Sequence, residues 1–282
     1  MERGLKTILP VVILLFAVTV AAQEKPKYGW NNEIIGNLGL NQVGFDNWSQ
    51  GGENAFSWQF DLNAKFINTS EKATWTTTGK FAYGQSRVGD QGTRKTVDEV
   101  RLESVLKFNI EKAAEPYLSL AGWTQFADGL IYGENSSTVV SSFFDPLYLT
   151  QSAGIGFEPA TGLKIRVGAS AKQTFTNSFP APYADNPDTP EIEKTLSEYG
   201  AESVIDFTRK LSDDLVLKSK MELFSNIKGV DEIDVNWDTQ MTAKVARYIN
   251  VNLGIRLLYD RNISKKRQLM QSLAIGFTYT FL

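Results

Sequence analysis

From residue 56 onward the polarity of the chain alternates one residue at a time. Phe56, Trp58, Phe60, Leu62, Ala64 and Phe66 stand against Ser57, Gln59, Asp61, Asn63 and Lys65. A period of two sends successive side chains to opposite faces of a strand, so this segment carries one apolar and one polar face. The pattern recurs over residues 74–83, 99–110, 163–172, 198–208, 215–224, 233–245, 251–259 and 269–281. Weaker versions occupy residues 33–44, 117–127 and 147–157. Together they predict about twelve strands, many of them 10–15 residues long, which is the length a tilted strand needs to cross a bilayer. After residue 22 no run of about 18 uncharged residues exists, so a helical span is excluded there.

The connections sort by length. Short polar turns are expected near Asn68–Lys72, Glu111–Pro116, Glu158–Gly162, Lys210–Asp214 and Tyr248–Asn250. Longer loops are expected at residues 45–53, 88–96, 128–146, 176–197, 225–232 and 260–267. Short turns at one rim and long loops at the other are the habit of outer-membrane barrels. The expected fold is therefore all-β, a transmembrane antiparallel up-and-down β-barrel with about twelve strands. An even strand number places both termini at the short-turn, periplasmic rim. A soluble periplasmic β-protein would also alternate, but it does not need such long strands. Trp58, Tyr83 and Tyr259 are candidates for the outer aromatic girdle, and Phe66, Trp75, Phe108 and Tyr279 for the periplasmic one.

Residues 1–22 read as a secretory signal. Arg3 and Lys6 precede the apolar run Leu9–Val20, and Val20-Ala21-Ala22 offers small residues for cleavage before Gln23. The expected organisation is thus a signal over 1–22 and a barrel over 23–282, in the outer membrane of a Gram-negative bacterium. Mean hydropathy is −0.22, which resembles a soluble protein but is also what an apolar and a polar face average to.

The chain contains no Cys and no His. Disulfides, Cys/His metal centres, and triads built on His or Cys are excluded, and no cofactor or metal is expected. A formal net charge of −3 argues against nucleic acid as a partner. Asp234 and Asp238 lie four residues apart on one strand face, roughly 13 Å by strand rise, too far to share a proton. The reading is of a non-enzyme.

The polar faces, expected to line the lumen, are densely charged. The basic positions include Lys80, Arg101, Lys164, Arg166, Lys218, Lys220 and Arg256, with Lys65, Lys107, Lys172 and Lys244 beside them. The acidic positions include Asp61, Glu103, Glu202, Asp206, Asp234 and Asp238, with Glu99, Glu198 and Glu222. Opposite charges on neighbouring strands pair well. A tight turn at Lys210–Asp214 would set Asp206 opposite Lys218, and Asp61 is expected to face Lys80. This lining reads either as an ion-pair mesh that holds the barrel or as a constriction for a small charged solute.

Gly276-Phe277-Thr278-Tyr279-Thr280-Phe281 resembles the last-strand signal read by the barrel-assembly machinery, with Gly276, Tyr279 and Phe281 as its marks. Leu282 follows, so the final aromatic is penultimate. Residues 41–58, NQVGFDNWSQGGENAFSW, resemble a Bacteroidota outer-membrane family known only as a domain of unknown function. The resemblance rests on Asn41, Gln42, Phe45, Trp48, Gly51, Gly52 and Asn54. It implies an outer-membrane barrel and supplies no reaction or ligand. The paired glycines permit a positive φ and a tight return into the second strand, and Trp48 is a candidate for recognition.

The expected function is a narrow passive channel for small solutes. The alternatives are a closed structural or interaction barrel in an envelope complex, and a soluble periplasmic β-protein. The expected partners are outer-membrane lipid, the assembly machinery during insertion, and a small solute. The Pro-rich and aromatic loops at 128–146 and 176–197 read either as solvated, partly ordered segments or as loops that fold over the mouth or bind a partner.

Overall fold

The computed structural model describes residues 28–45, 52–110, 114–133 and 136–281. The signal segment, Trp48 and Gly51 lie outside the described residues.

Twelve strands close into one antiparallel barrel. In chain order its early members are β1 (Gly29–Val43), β2 (Ala55–Thr69), β3 (Ala73–Val88), β4 (Thr93–Phe108) and β5 (Glu115–Thr124). A small hairpin follows, β6 (Gly129–Tyr132) and β7 (Ser137–Ser141). The wall resumes with β8 (Leu147–Ala160), β9 (Leu163–Phe175), β10 (Thr195–Ser212) and β11 (Leu215–Asn226). It ends with β12 (Gly229–Lys244), β13 (Ile249–Tyr259) and β14 (Gln268–Thr280), and β14 pairs with β1 to close it. Every wall strand pairs with its sequence neighbour, apart from the closure and the β5–β8 step around the hairpin.

The molecule is inside-out for a water-soluble protein. Leu102, Ile155, Tyr199, Leu273, Ile275 and Phe277 stand exposed on the outer face, with Leu273 at 73%. The buried residues include Glu99, Glu103, Arg166, Glu198, Ser152, Ser170 and Thr174. An apolar belt this continuous belongs against lipid, and the closed hydrogen-bond ladder leaves no edge there. Trp58 and Tyr83 meet at 5.8 Å near the long-loop rim, and Trp30 and Trp75 at 6.2 Å near the short-turn rim. Both sit where interfacial aromatics are expected.

The connections correct the sequence reading in four places. The segments expected as loops at 88–96 and 225–232 are short turns, because β3, β4, β11 and β12 run on past the expected ends. Arg87, Arg94 and Lys95 belong to those extensions. Once strands rise above the lipid both faces are wet, so alternation fades while the ladder continues. Gly89 and Gly92, at φ 51° and 77°, make the β3–β4 turn. The loop at 128–146 carries the β6–β7 hairpin, whose Leu130 and Val140 border the lumen. The segment 176–194 contains one helical turn, Pro180–Tyr183. Both ends of the described chain, at β1 and β14, open at the short-turn rim.

Candidate functional site

The lumen is divided by side chains that reach from wall to wall. Arg101 on β4 donates to Glu222 on β11. Between those strands lie four others in one direction round the barrel and six in the other, so the contact crosses the interior. Lys220 on β11 reaches Glu103 on β4, and Arg166 on β9 reaches the same carboxylate at 2.5 Å. Lys220 also lies 3.1 Å from Glu222. A second bar joins β3 and β4 to β12 and β13: Lys80 to Glu99 at 2.8 Å and to Asp238 at 3.5 Å, and Arg256 to Glu99 at 3.0 Å. Higher up, Lys172 on β9 meets Asp234 on β12 and Asp260, just past β13, both at 2.6 Å. Glu198 on β10 stands 3.5 Å from the same ammonium. Low-dielectric surroundings strengthen such contacts and penalise any member left alone.

Two expected neighbour pairs are corrected. Asp206 lies beside Lys164 and Lys220 in the ladders, and Lys218 lies beside Thr208. Only Asp213 and Asp214 separate β10 from β11, a tighter turn than expected, and with the register shift between Lys210 and Ser212 it sets Asp206 beside Lys220. Asp61 lies beside Ala82, while Lys80 pairs with Asn63. The Asp61 carboxylate accepts the Gln59 amide at 2.9 Å through both oxygens. Neither Asp61, Asp206, Lys164 nor Lys218 forms an ion pair with a described residue. Lys164 and Lys218 stand exposed towards the short-turn rim.

Glu202 is held differently. Its Oε1 accepts from Ser152 Oγ at 2.5 Å and from the Tyr117 hydroxyl at 3.2 Å. Tyr117, Gly154, Gly168 and Glu202 form one register row across β5, β8, β9 and β10. The two glycines leave room for the Tyr117 side chain to lie along the wall, and a Cβ on Gly168 would stand 2.8 Å from its hydroxyl. The Arg166 guanidinium sits 5.4 Å from the Tyr117 ring centre. Sequence reading missed this row. The one signal for it is glycine at matching heights on adjacent strands.

The bars leave two cavities. One of about 460 Å³ runs along β12, β13, β14, β1, β2 and β3, bordered by the second bar. Asn37, Asn63, Gln240, Asn252, Ser272 and Ala274 line one side of it with Asp61 facing in, while Lys80, Lys95, Asp98, Glu99, Asp238 and Arg256 line the rest. The other, about 160 Å³, lies higher, among Trp123, Tyr148, Phe224, Leu258 and Ile263. Trp123 and Tyr148 stack at 4.1 Å with 9° between planes.

Above the lumen the β5–β8 loop is pinned at both ends. Asp98 accepts the backbone N–H of Phe126 at 2.6 Å and of Ala127 at 2.9 Å, and pairs with Lys95 at 2.6 Å. Asp145 accepts from Thr176 Oγ1 at 2.5 Å and from the N–H groups of Asn177 at 2.9 Å and Ser178 at 2.7 Å. Burial pushes the Asp145 carboxyl up, but these hydrogen bonds outweigh it and hold the group below the ordinary carboxylate range.

In the β1–β2 loop, Gly52 takes φ +135°, and a Cβ there would meet the Phe45 ring at 2.7 Å. Asn54 Oδ1 accepts the Phe45 N–H at 2.7 Å. On β14, Gly276 packs against the Leu38 carbonyl, while Tyr279 and Phe281 stack edge to face at 4.9 Å on the exposed side.

Residues 40–130 match a family described as a protein of unknown function (DUF3078), and residues 157–281 match another (DUF481). The two matches lie on one continuous barrel, with residues 131–156 between them. No curated protein matches the sequence. Among solved structures, the translocator domain of the autotransporter NalP from Neisseria meningitidis is similar at 13% identity, with 90% of this chain and 89% of that one covered, TM-score 0.42. An outer membrane channel from Pseudomonas putida F1 is similar at 9% identity, 93% and 98% coverage, TM-score 0.40. The NanC porin is similar at 8% identity, 89% and 100% coverage, TM-score 0.40.

Proposed function

We infer that this barrel sits in the outer membrane and passes small polar solutes along one wall of a divided lumen. The observation that carries the reading is the contrast between the walls. Around β4, β9 and β11 the interior is tied shut by Glu103, Arg166, Lys220 and Glu222. Along β14, β1 and β2 it is lined mainly by short polar and glycine positions, which leave the larger cavity between them and the bar of Lys80, Glu99, Asp238 and Arg256. Uncharged hydrogen-bonding groups replace the hydration shell of a small solute without trapping it, which is what conduction requires. No chemistry is assigned to the site: Asp234 and Asp238 are engaged by Lys172 and Lys80 respectively.

In this reading the short-turn rim faces the periplasm. Gly276, Tyr279 and Phe281 present the last strand to the assembly machinery. The stretch of sequence with Trp48, Gly51, Gly52 and Asn54 carries the resemblance to the Bacteroidota family. Recording from the purified protein in planar bilayers tests the passage. Small discrete steps are expected. A folded, inserted barrel that never conducts in any electrolyte, and releases no small solute from liposomes, overturns it. That outcome would favour a closed scaffold, the second reading, which the wall-to-wall contacts of Arg101 with Glu222 and Arg256 with Glu99 support.

A further inference from the structure

The smaller, upper cavity differs in chemistry from the larger one. Its walls are aromatic and aliphatic: Trp123 stacked on Tyr148, with Phe224, Leu258 and, from the β13–β14 loop, Ile263. Tyr148 and Phe224 are buried although they face the lumen. A closed apolar cavity of about 150 Å³ holds one benzene ring. The cavity here, at about 160 Å³, has room for one ring.

Its polar lining is unbalanced. Two cations border it, Arg101 and Lys172, against Glu103, Glu202, Glu222, Asp234 and Asp260. Most of these carboxylates are already neutralised. Glu222 has Arg101 and Lys220; Glu103 has Arg166 and Lys220; Asp234 and Asp260 share Lys172. Glu202 is the exception. It accepts two hydroxyl hydrogen bonds on Oε1, and no described ammonium or guanidinium lies within ion-pair distance. The aromatic wall is also already used by a cation, since the Lys172 ammonium lies 5.6 Å from the Phe224 ring centre. A ring face and an unpaired carboxylate bordering one cavity select a positively charged head on an aromatic body.

We propose that this cavity binds a small single-ring aromatic amine, its ring between the Trp123–Tyr148 pair and Leu258 and its ammonium towards Glu202. The β13–β14 loop closes the site from above. Asp260 is tied to Lys172 at 2.6 Å, and the Asn262 amide donates to Glu198 at 2.9 Å. Binding here does not depend on whether the larger cavity conducts.

Calorimetric titration of the detergent-folded protein tests it, with phenethylamine, phenylethanol and phenylacetate as probes. Saturable binding of the amine is expected, at least tenfold tighter than the alcohol, with phenylacetate weaker still. Glu202→Gln should erase the amine's advantage and leave the alcohol's affinity within about twofold. Leu258→Trp, which fills the cavity, should abolish binding of all three. Heat-modifiable gel mobility shows that each variant is folded. Equal binding of amine and carboxylate overturns the proposal. So does absence of saturable binding, or wild-type behaviour in either folded variant. If Leu258→Trp does not fold, the Glu202→Gln titration alone decides.

Discussion

The Arg101 guanidinium on β4 meets the Glu222 carboxylate on β11 across the full width of the barrel. The contact does not run along the wall, so it sets the shape of the lumen as well as its charge. Narrow barrels let long side chains do this, since the opposite wall lies within reach of two extended ones.

Glu103 is the junction of the first bar, between Arg166 and Lys220. Glu103→Gln leaves the buried Arg166 guanidinium without its carboxylate and Lys220 with Glu222 alone, and is expected to destabilise the barrel by about 3–5 kcal/mol. The temperature at which folded gel mobility is lost, or a urea unfolding midpoint in detergent, checks this. Replacing Glu103, Arg166 and Lys220 together by Leu or Met is expected to cost less than the single change, because no charge is then stranded. A triple variant much weaker than the single one contradicts that account.

Asp145 is expected to make the mouth pH-sensitive. Its carboxyl in the folded chain lies below the ordinary value of about 3.9. Its hydrogen bonds therefore contribute in full above that value and are lost as pH falls through the lowered one. Amide exchange at Asn177 and Ser178 should be slow at neutral pH and accelerate below about pH 4, beyond the intrinsic pH dependence of exchange. Asp145→Ala should show fast exchange at those two amides already at pH 7, with the barrel strands unchanged.

Gly168 makes room for Tyr117. Its Cβ would meet the Ala153 carbonyl at 2.4 Å and the Tyr117 hydroxyl at 2.8 Å. Gly168→Val is expected to cost about 1–3 kcal/mol, in the range of other overpacking changes. It should also displace Tyr117 from Glu202. Tyr117→Phe removes the hydroxyl but keeps the ring, and it should cost only about 1 kcal/mol. The same unfolding assay separates them.

Phe281 closes the last strand. Its N–H donates to the Ile34 carbonyl at 2.8 Å, and its ring lies over Gly36. Phe281→Ala is expected to lower the yield of assembled barrel in cells several-fold, while protein refolded in detergent still reaches the heat-modifiable form. Equal yield in cells removes the assembly role.

Much of the wall was legible in the sequence. The runs at 56–66, 163–172 and 215–224 lie within β2, β9 and β11, because one face must meet lipid and the other cannot. Alternation specifies faces and says nothing about height or about the opposite wall. That is why Asp206 is expected against Lys218, when a turn of Asp213 and Asp214 alone, with the shift at Lys210–Ser212, places it beside Lys220. It is also why Arg101 and Glu222, both expected to face inward, could not be paired in advance. The β6–β7 hairpin was missed because Ser137–Ser141 is five residues long and its pairing is local to the loop. Trp123, Tyr148 and Phe224 stand outside the expected lumen lining, because charge and not ring is the mark by which that lining is read from the sequence.

The central claim is that solutes follow the wall of small polar side chains and not the ion-paired side. Single-channel recording of Ser272→Trp beside the wild type tests it most directly. Ser272 borders the larger cavity and neighbours Gly254 in the ladder, so an indole there fills the proposed path. The account predicts discrete wild-type steps and a folded variant whose conductance falls at least tenfold. Undiminished conductance in that variant would contradict it.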